Sequence, residues 1–349
     1  MRIAVTVDPY IPVPPTLYGG IERVVDMVVR GLVARGHQVI LFAHPRSRTA
    51  GDLLPYGMPP HVGWWRRIAE LEQVGRGLWS RRRTIDVVLS WGRLAALSPI
   101  LPLRRLPKIQ RYCRERVPWR SVEIAVRLAG DSIVFAGASD SVSRHRPRTD
   151  RYGGRWRTVY DGVEIARYEF RPFVGDDAPL MFLGRLESIK GVHHAIAIAR
   201  ATSRRLVIAG NRVESPEAGR YFDQQVAPHL DGKEITWVGP VADARKSALL
   251  GSAAALLMLV EWEEPFGIVM AEALACGTPV IGLTRGSIPE VVRDGVSGYL
   301  CASLEEAVAA VRRLPLIDRA AVRADCEARF SDAVIVEAYE RLCREMLGR

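Results

Sequence analysis

The chain has 349 residues, 48% hydrophobic and 25% charged, which is apolar material for two cores rather than one and excludes a disordered chain. Its formal net charge of +10 is unevenly held: residues 1–165 carry 27 Arg and Lys against 14 Asp and Glu, whereas residues 166–349 carry 22 against 25. Five scattered cysteines, with no CxxC and no Cys/His cluster at metal spacing, exclude a disulfide framework and fit free thiols in a reducing compartment.

The opening MRIAVTVD reads as a strand over Arg2–Asp8, not as a signal peptide. A loop with four prolines follows, PYIPVPPTLYGG. A helix is then expected from Ile21 to Arg35, with Val24, Val25, Val28, Val29, Leu32 and Val33 on one face. Gly36-His37 ends it and Val39–Ala43 is the next strand. This βαβ unit implies a parallel sheet covered by helices. Asp86–Ser90, Lys108–Arg111 and Ser132–Ala136 are further strands. The order suits a Rossmann-like domain over residues 1–165, but GxGxxG is absent, so a dinucleotide is not implied.

A polar connector, Glu164–Pro179, leads to a second alternation. Strands are expected at Leu180–Leu183, Leu206–Ala209, Ile235–Val238, Ala253–Leu259 and Pro279–Leu283, with helices from Gly191 and Gly267. A second Rossmann-like domain over residues 175–330 follows, and ligands in such sheets bind outside the carboxyl ends of the strands. The two domains are expected to be separated by a cleft. The last helix, Asp332–Leu347, has an apolar stripe that must be covered, and packing back on the first domain (helix 332–349) would cover it. The longest uncharged apolar run, Ser247–Val260, is too short to span a membrane. The expected location is the cytosol, with attachment at the inner face of the plasma membrane as an option.

Three strand-to-helix turns of the second domain carry the chemistry. In FLGRLESIKGV, Arg185 and Lys190 stand beside a helix start at Gly191, where free N–H groups and the helix dipole favour an anion. A solvated loop is the plainer account of any lone R-x4-K. In EWEEPFGIVMAEALACGTPV, Glu264 precedes a Pro-Phe-Gly turn, and the amides of Gly267, Ile268 and Val269 open a helix. Gly267 lets a ligand approach the backbone. Glu272, about a turn and a half in, can project from the cleft-facing end and accept from a vicinal diol. Glu261 and Glu263 read as a solvated loop. In GSIPEVV, Ser287 and Glu290 fit a capping box, with the Gly286 and Ser287 amides as further phosphate donors.

Taken in order, these turns resemble those of the retaining nucleotide-sugar glycosyltransferases of the GT-B fold, family 4 (glycosyl transferases group 1). The resemblance spans nearly the whole chain. It rests on the E-x7-E pattern from Glu264 to Glu272 within EPFGIVMAEALACGTPVIG, on GSIPEVVRDGVSGYL, and on YGGIERVV, DGVE and GRLESIKG. It implies that Arg185 and Lys190 neutralise the donor diphosphate, that Glu272 holds the ribose hydroxyls, and that Glu264 contacts the donor sugar. It also implies that the amides of Phe266, Gly267 and Ile268 hold the sugar or its phosphate. Gly19 and Gly20 would face the diphosphate, and the segment after Gly239 would lie near the base. The implied donor is a nucleoside-diphosphate sugar, and no metal or other cofactor is required: no D-x-D occurs in the chain.

One part of the pattern departs. Relatives carry a histidine after a first-domain strand, where this chain has Tyr112-Cys113, and SWGR (Ser90–Arg93) stands where others read HxH. His37, His44, His61 and His145 do not read as strand ends. The leading expectation is a metal-independent, retaining hexosyltransferase acting on a glycan, lipid-linked or small-molecule acceptor. The alternative is a catalytically inactive nucleotide-sugar-binding protein of a glycan assembly system. The basic aromatic stretch WWRRIAELEQVGRGLWSRRR (Trp64–Arg83) suits an anionic membrane surface. A nucleic acid partner is not expected, since no helix-turn-helix, zinc or RNA-recognition signature accompanies the basic charge.

Overall fold

Parallel strands joined by helices bury both faces of their sheet, so the central strands must be apolar on both sides. That requirement is met twice. The computed structural model describes residues 1–16, 19–57, 64–144 and 153–348. The chain divides into two compact units, Met1–Asp161 with Asp332–Arg349, and Gly162–Ser331. His61 and His145, Tyr18 of the YGGIERVV motif and the side chain of Trp64 lie outside the described residues.

The first unit runs β1 (Arg2–Thr6), α1 (Gly20–Ala34), β2 (Gln38–Ala43), β3 (Asp52–Pro55), α2 (Trp64–Ser80), β4 (Val87–Ser90), β5 (Lys108–Tyr112), α3 (Trp119–Ala129), β6 (Ile133–Gly137), α4 (Asp140–Ser143) and β7 (Trp156–Thr158). Its sheet has the order β3-β2-β1-β4-β5-β6-β7, and every recorded pairing is parallel. Ile3, Ala4 and Val5 pair with both neighbours and are buried. Strand order reverses between β1 and β4, so their carboxyl ends diverge and leave a crevice.

The second unit runs β8 (Leu180–Leu183), α5 (Val192–Ala201), β9 (Leu206–Ala209), α6 (Pro216–Gln225), β10 (Ile235–Trp237), α7 (Asp243–Ser252), β11 (Ala255–Met258), α8 (Ile268–Ala275), β12 (Val280–Leu283), α9 (Ile288–Val291), β13 (Gly298–Cys301), α10 (Leu304–Arg313) and α11 (Arg319–Phe330). The parallel order is β10-β9-β8-β11-β12-β13, reversing between β8 and β11. Both sheets are therefore doubly wound, as the alternation of elements requires.

The chain ends in α12 (Asp332–Met346), which belongs to the first unit. Its apolar stripe, Ile335, Val336, Tyr339, Leu342 and Cys343, is buried. Val336 reaches α1 at Gly31, Tyr339 packs its ring 5.1 Å from Trp91, and Glu340 pairs with Arg35 at 2.8 Å and His37 at 3.0 Å. No described helix is long and apolar enough to cross a membrane.

Candidate functional site

The loops at the switch point of the second sheet follow β8 and β11. After β8 the chain turns through Arg185 and a short 3-10 helix, Ser188–Lys190, into Gly191. Gly191 has φ +75°, and a Cβ there would lie 2.0 Å from the carbonyl oxygen of Leu259, just past β11. Only glycine lets the first loop press on the second in this way. The amide of Glu261 donates to the Ile189 carbonyl at 2.8 Å, stitching the two loops further.

This contact sets Lys190 against Glu264. Lys190 Nζ donates to Glu264 Oε2 at 2.7 Å, and Trp262 Nε1 donates to the same oxygen at 3.0 Å. The ammonium also lies 4.4 Å from the Trp262 ring centroid. The two charged side chains are only 18% and 8% exposed. A pair so shielded is stronger than a surface pair, and either member is costly to leave alone.

Glu264 is held from behind as well. Its carbonyl accepts from the Ser287 amide at 2.8 Å, and the Gly286 amide donates to Glu263 Oε2 at 2.9 Å. Gly286 has φ +56°, and a Cβ on it would meet the Glu264 amide nitrogen at 2.3 Å. Three expectations are corrected here. The Gly286 and Ser287 amides already serve the Glu263–Glu264 loop, so they are not phosphate donors in this conformation. Glu263 is a structural acceptor, and Glu261 meets His194 at 2.9 Å, so neither is a plain solvated acid. The Ser287/Glu290 capping box does not form: Ser287 Oγ is buried with no partner among the described residues.

Glu272 sits on α8 as the sequence predicts, and its side chain is largely buried. Its Oε1 accepts from Tyr168 Oη at 2.8 Å and from Lys246 Nζ, and Lys246 also lies 3.3 Å from Asp243. Arg185 is 40% exposed and pairs with Glu187 at 2.7 Å. Phe266 is buried edge-on against Phe330, centroids 5.6 Å apart. Gly267 is the left-handed residue from which Ile268 starts α8, so the first amides of that helix have no preceding turn to bond. Gly239 follows β10, and its carbonyl accepts from Gly210 at 2.9 Å. Gly19 and Gly20 lie in the first unit, where they open α1.

Sequence reasoning passed over Tyr168, Trp262 and Lys246. Lys246 had one signal: it is one of four lysines in a chain with 45 arginines.

The switch point of the first sheet holds its own polar group. Asp8 follows β1, and its Oδ1 accepts from the Arg93 amide at 3.2 Å. Tyr10 Oη donates to Glu70 Oε2 at 3.0 Å, and Arg66 Nε donates to Glu70 Oε1 at 2.8 Å. Thr6, Tyr56, Gly92 and Arg93 line the same hollow. Burial raises the Asp8 carboxyl above its usual range, with Arg93 and Arg114 opposing. His44 directly follows β2, so one histidine does stand at a strand end; its Nδ1 accepts from the Arg46 amide at 3.0 Å. Cys113 follows β5, and burial pushes its thiol up to about 12.

Comparison with known proteins follows the same division. Residues 168–328 match the family model described as Glycosyl transferases group 1, and residues 18–114 match the one described as Glycosyltransferase Family 4. A glycogen synthase of Mycobacterium tuberculosis (strain CDC 1551 / Oshkosh) is 34% identical over 174 residues, covering 47% of this chain and 41% of that protein. The chain thus spans about two fifths of this relative's length. Among solved structures, AviGT4, a glycosyltransferase involved in avilamycin A biosynthesis, has a TM-score of 0.74 at 24% identity, covering 99% of this chain and 98% of its own. Anabaena Alr3699/HepE in complex with UDP-glucose has a TM-score of 0.73 at 18% identity, covering 99% and 100%.

Proposed function

We propose that this chain, which belongs to the group 1 glycosyltransferases of GT-B fold, moves a glycosyl group from a nucleoside-diphosphate sugar to an acceptor hydroxyl, with retention and without a metal. The observation that carries the reading is the shielded Lys190–Glu264 pair at the switch point of the second sheet. As the glycosidic bond breaks, negative charge grows on the leaving diphosphate. Lys190, Arg185 and the first amides of α8 would supply the cations and dipoles that such a transition state needs. With Lys190 turned to phosphate, Glu264 is released to accept from a sugar hydroxyl. Glu272 has Oε1 held by Lys246 and Tyr168, leaving Oε2 for a ribose hydroxyl. Gly19 and Gly20 would contribute backbone amides, and the Gly239 segment would border the base. The UDP-glucose complex of a structural neighbour supports a nucleotide sugar as donor. The acceptor is a glycan, a lipid-linked or a small molecule.

Lys190→Met and Glu264→Gln are each expected to lower transfer by about 10²-fold or more, the scale of one lost transition-state contact. A thermal-shift panel of nucleoside diphosphates identifies the base, and donor consumption by the purified variants gives the rates. Near-normal rates in both folded variants would defeat the assignment.

A second reading, an inactive nucleotide-sugar-binding protein, draws support from Tyr112-Cys113, where the family resemblance leads one to expect a histidine. It predicts stabilisation by a nucleoside diphosphate with no donor consumption. Slow donor hydrolysis that is lost in Lys190→Met rejects it.

A further inference from the structure

We infer that His193, His194 and Glu261 form a binding site for one divalent transition-metal ion of the zinc type. Their ligand atoms lie within 4.8 Å of one another, and no other such group of His, Cys, Asp and Glu occurs among the described residues. Two adjacent residues at the start of α5 rarely aim at one point. Here the His194 ring turns back so that its centroid is 3.9 Å from that of His193. Both Nε2 atoms approach Glu261 Oε1, at 3.4 and 2.9 Å.

The orientation is built. Tyr221, on α6, accepts from the His193 amide at 3.2 Å and meets His193 Nδ1 at 2.8 Å. With the imidazole proton on Nδ1, donated to the Tyr221 oxygen, the Nε2 lone pair faces Glu261. A ligating histidine is commonly fixed in this way by a partner on its other nitrogen. Any Nε2 proton displaced on binding leaves to solvent.

Two imidazoles and a carboxylate select zinc and its first-row neighbours over magnesium or calcium. The thiols compete poorly: burial pushes Cys276 and Cys301 up to about 11, and Cys326 and Cys343 up to about 12. The ion would fasten the loop after β11 to α5, three residues before Glu264, without touching the donor pair. The site is independent of the proposed transfer reaction.

The test uses the untagged full chain, stripped with chelator and titrated with zinc against a chromophoric competitor, with magnesium as control. One equivalent is expected, with a rise in melting temperature and no response to magnesium. His194→Ala and Glu261→Gln should each weaken binding at least about tenfold, and Tyr221→Phe about tenfold through the lost hydrogen bond. Circular dichroism establishes that each variant is folded. Absence of binding, or unchanged stoichiometry and affinity in a folded His193→Ala/His194→Ala variant, overturns the proposal. No donor or acceptor enters the measurement, so its failure is separate from failure of the glycosyl-transfer reading.

Discussion

Lysine is rare enough in this chain for each one to be informative. Lys108 and Lys246 are buried, Lys190 is half-buried, and Lys233 is exposed. Lys108 donates to the carbonyls of Leu101 and Leu103 and to Ser132 Oγ, and burial lowers it to about 8. A compact ammonium fits such places where a planar guanidinium does not. Lys246 is the sharpest case, because its removal strands the Glu272 carboxylate in the interior. Lys246→Met is expected to cost about 3–5 kcal/mol in unfolding of the second unit, the penalty for a buried charge without its partner. Lys246→Met/Glu272→Met should recover most of that loss in urea titrations. Losses that simply add in the double variant would show that the pair is not coupled. The pairing itself is not legible in sequence. Lys190, Glu264 and Gly267 stand out because each follows a strand at a turn. Lys246 and Glu272 sit on two helices whose periodicity does not say which faces meet. The Ser287/Glu290 spacing misleads for a related reason: the Ser287 amide is claimed by Glu264, a contact no local pattern contains.

Among the elements, α1 and α12 show how one missing side chain sets a helix crossing. Gly31 lies within α1, where alanine would gain about 1 kcal/mol of helix propensity. A Cβ there would stand 2.4 and 2.8 Å from the two methyls of Val336. Overpacking of that kind costs about 1–3 kcal/mol. Gly31→Ala is therefore expected to destabilise the first unit, and Val336→Ala added to it should restore stability. Additive losses in that cycle would place the clash elsewhere. The long, evenly apolar elements were readable: the α1 face, the stripe of α12, and the central strands β1, β4, β8 and β11. Among the edge strands β10 was readable too, but β3, β7 and β13 were not. β3 is DLLP and β7 is WRT; each has a partner on one side only and lacks the apolar run that marks a doubly covered strand.

For the whole molecule, charge and aromatic placement argue about surroundings. The basic excess lies in residues 1–165, and α2 exposes Trp65 (68%), Ile68 (45%) and Trp79 (43%) beside its arginines. Binding to vesicles containing phosphatidylglycerol is expected, and neutral vesicles should be ignored. Salt should weaken the binding, since the Debye length shrinks to about 3 Å at 1 M. Trp65→Ala/Trp79→Ala should weaken it about tenfold or more, the scale of losing buried large apolar side chains. Salt-insensitive association, or none, counts against a membrane role for this face. Two doubly wound sheets were legible from the strand–helix alternation, because short parallel strands leave few other connections. The course of the chain has a consequence for synthesis. The second unit is continuous, and its ends meet: the Val163 amide donates to the Phe330 carbonyl at 2.9 Å. The first unit lacks α12 until residue 346 has been made. On the ribosome, the unit begun first is therefore the last to be completed, and until then the apolar face of α1 around Gly31 waits uncovered.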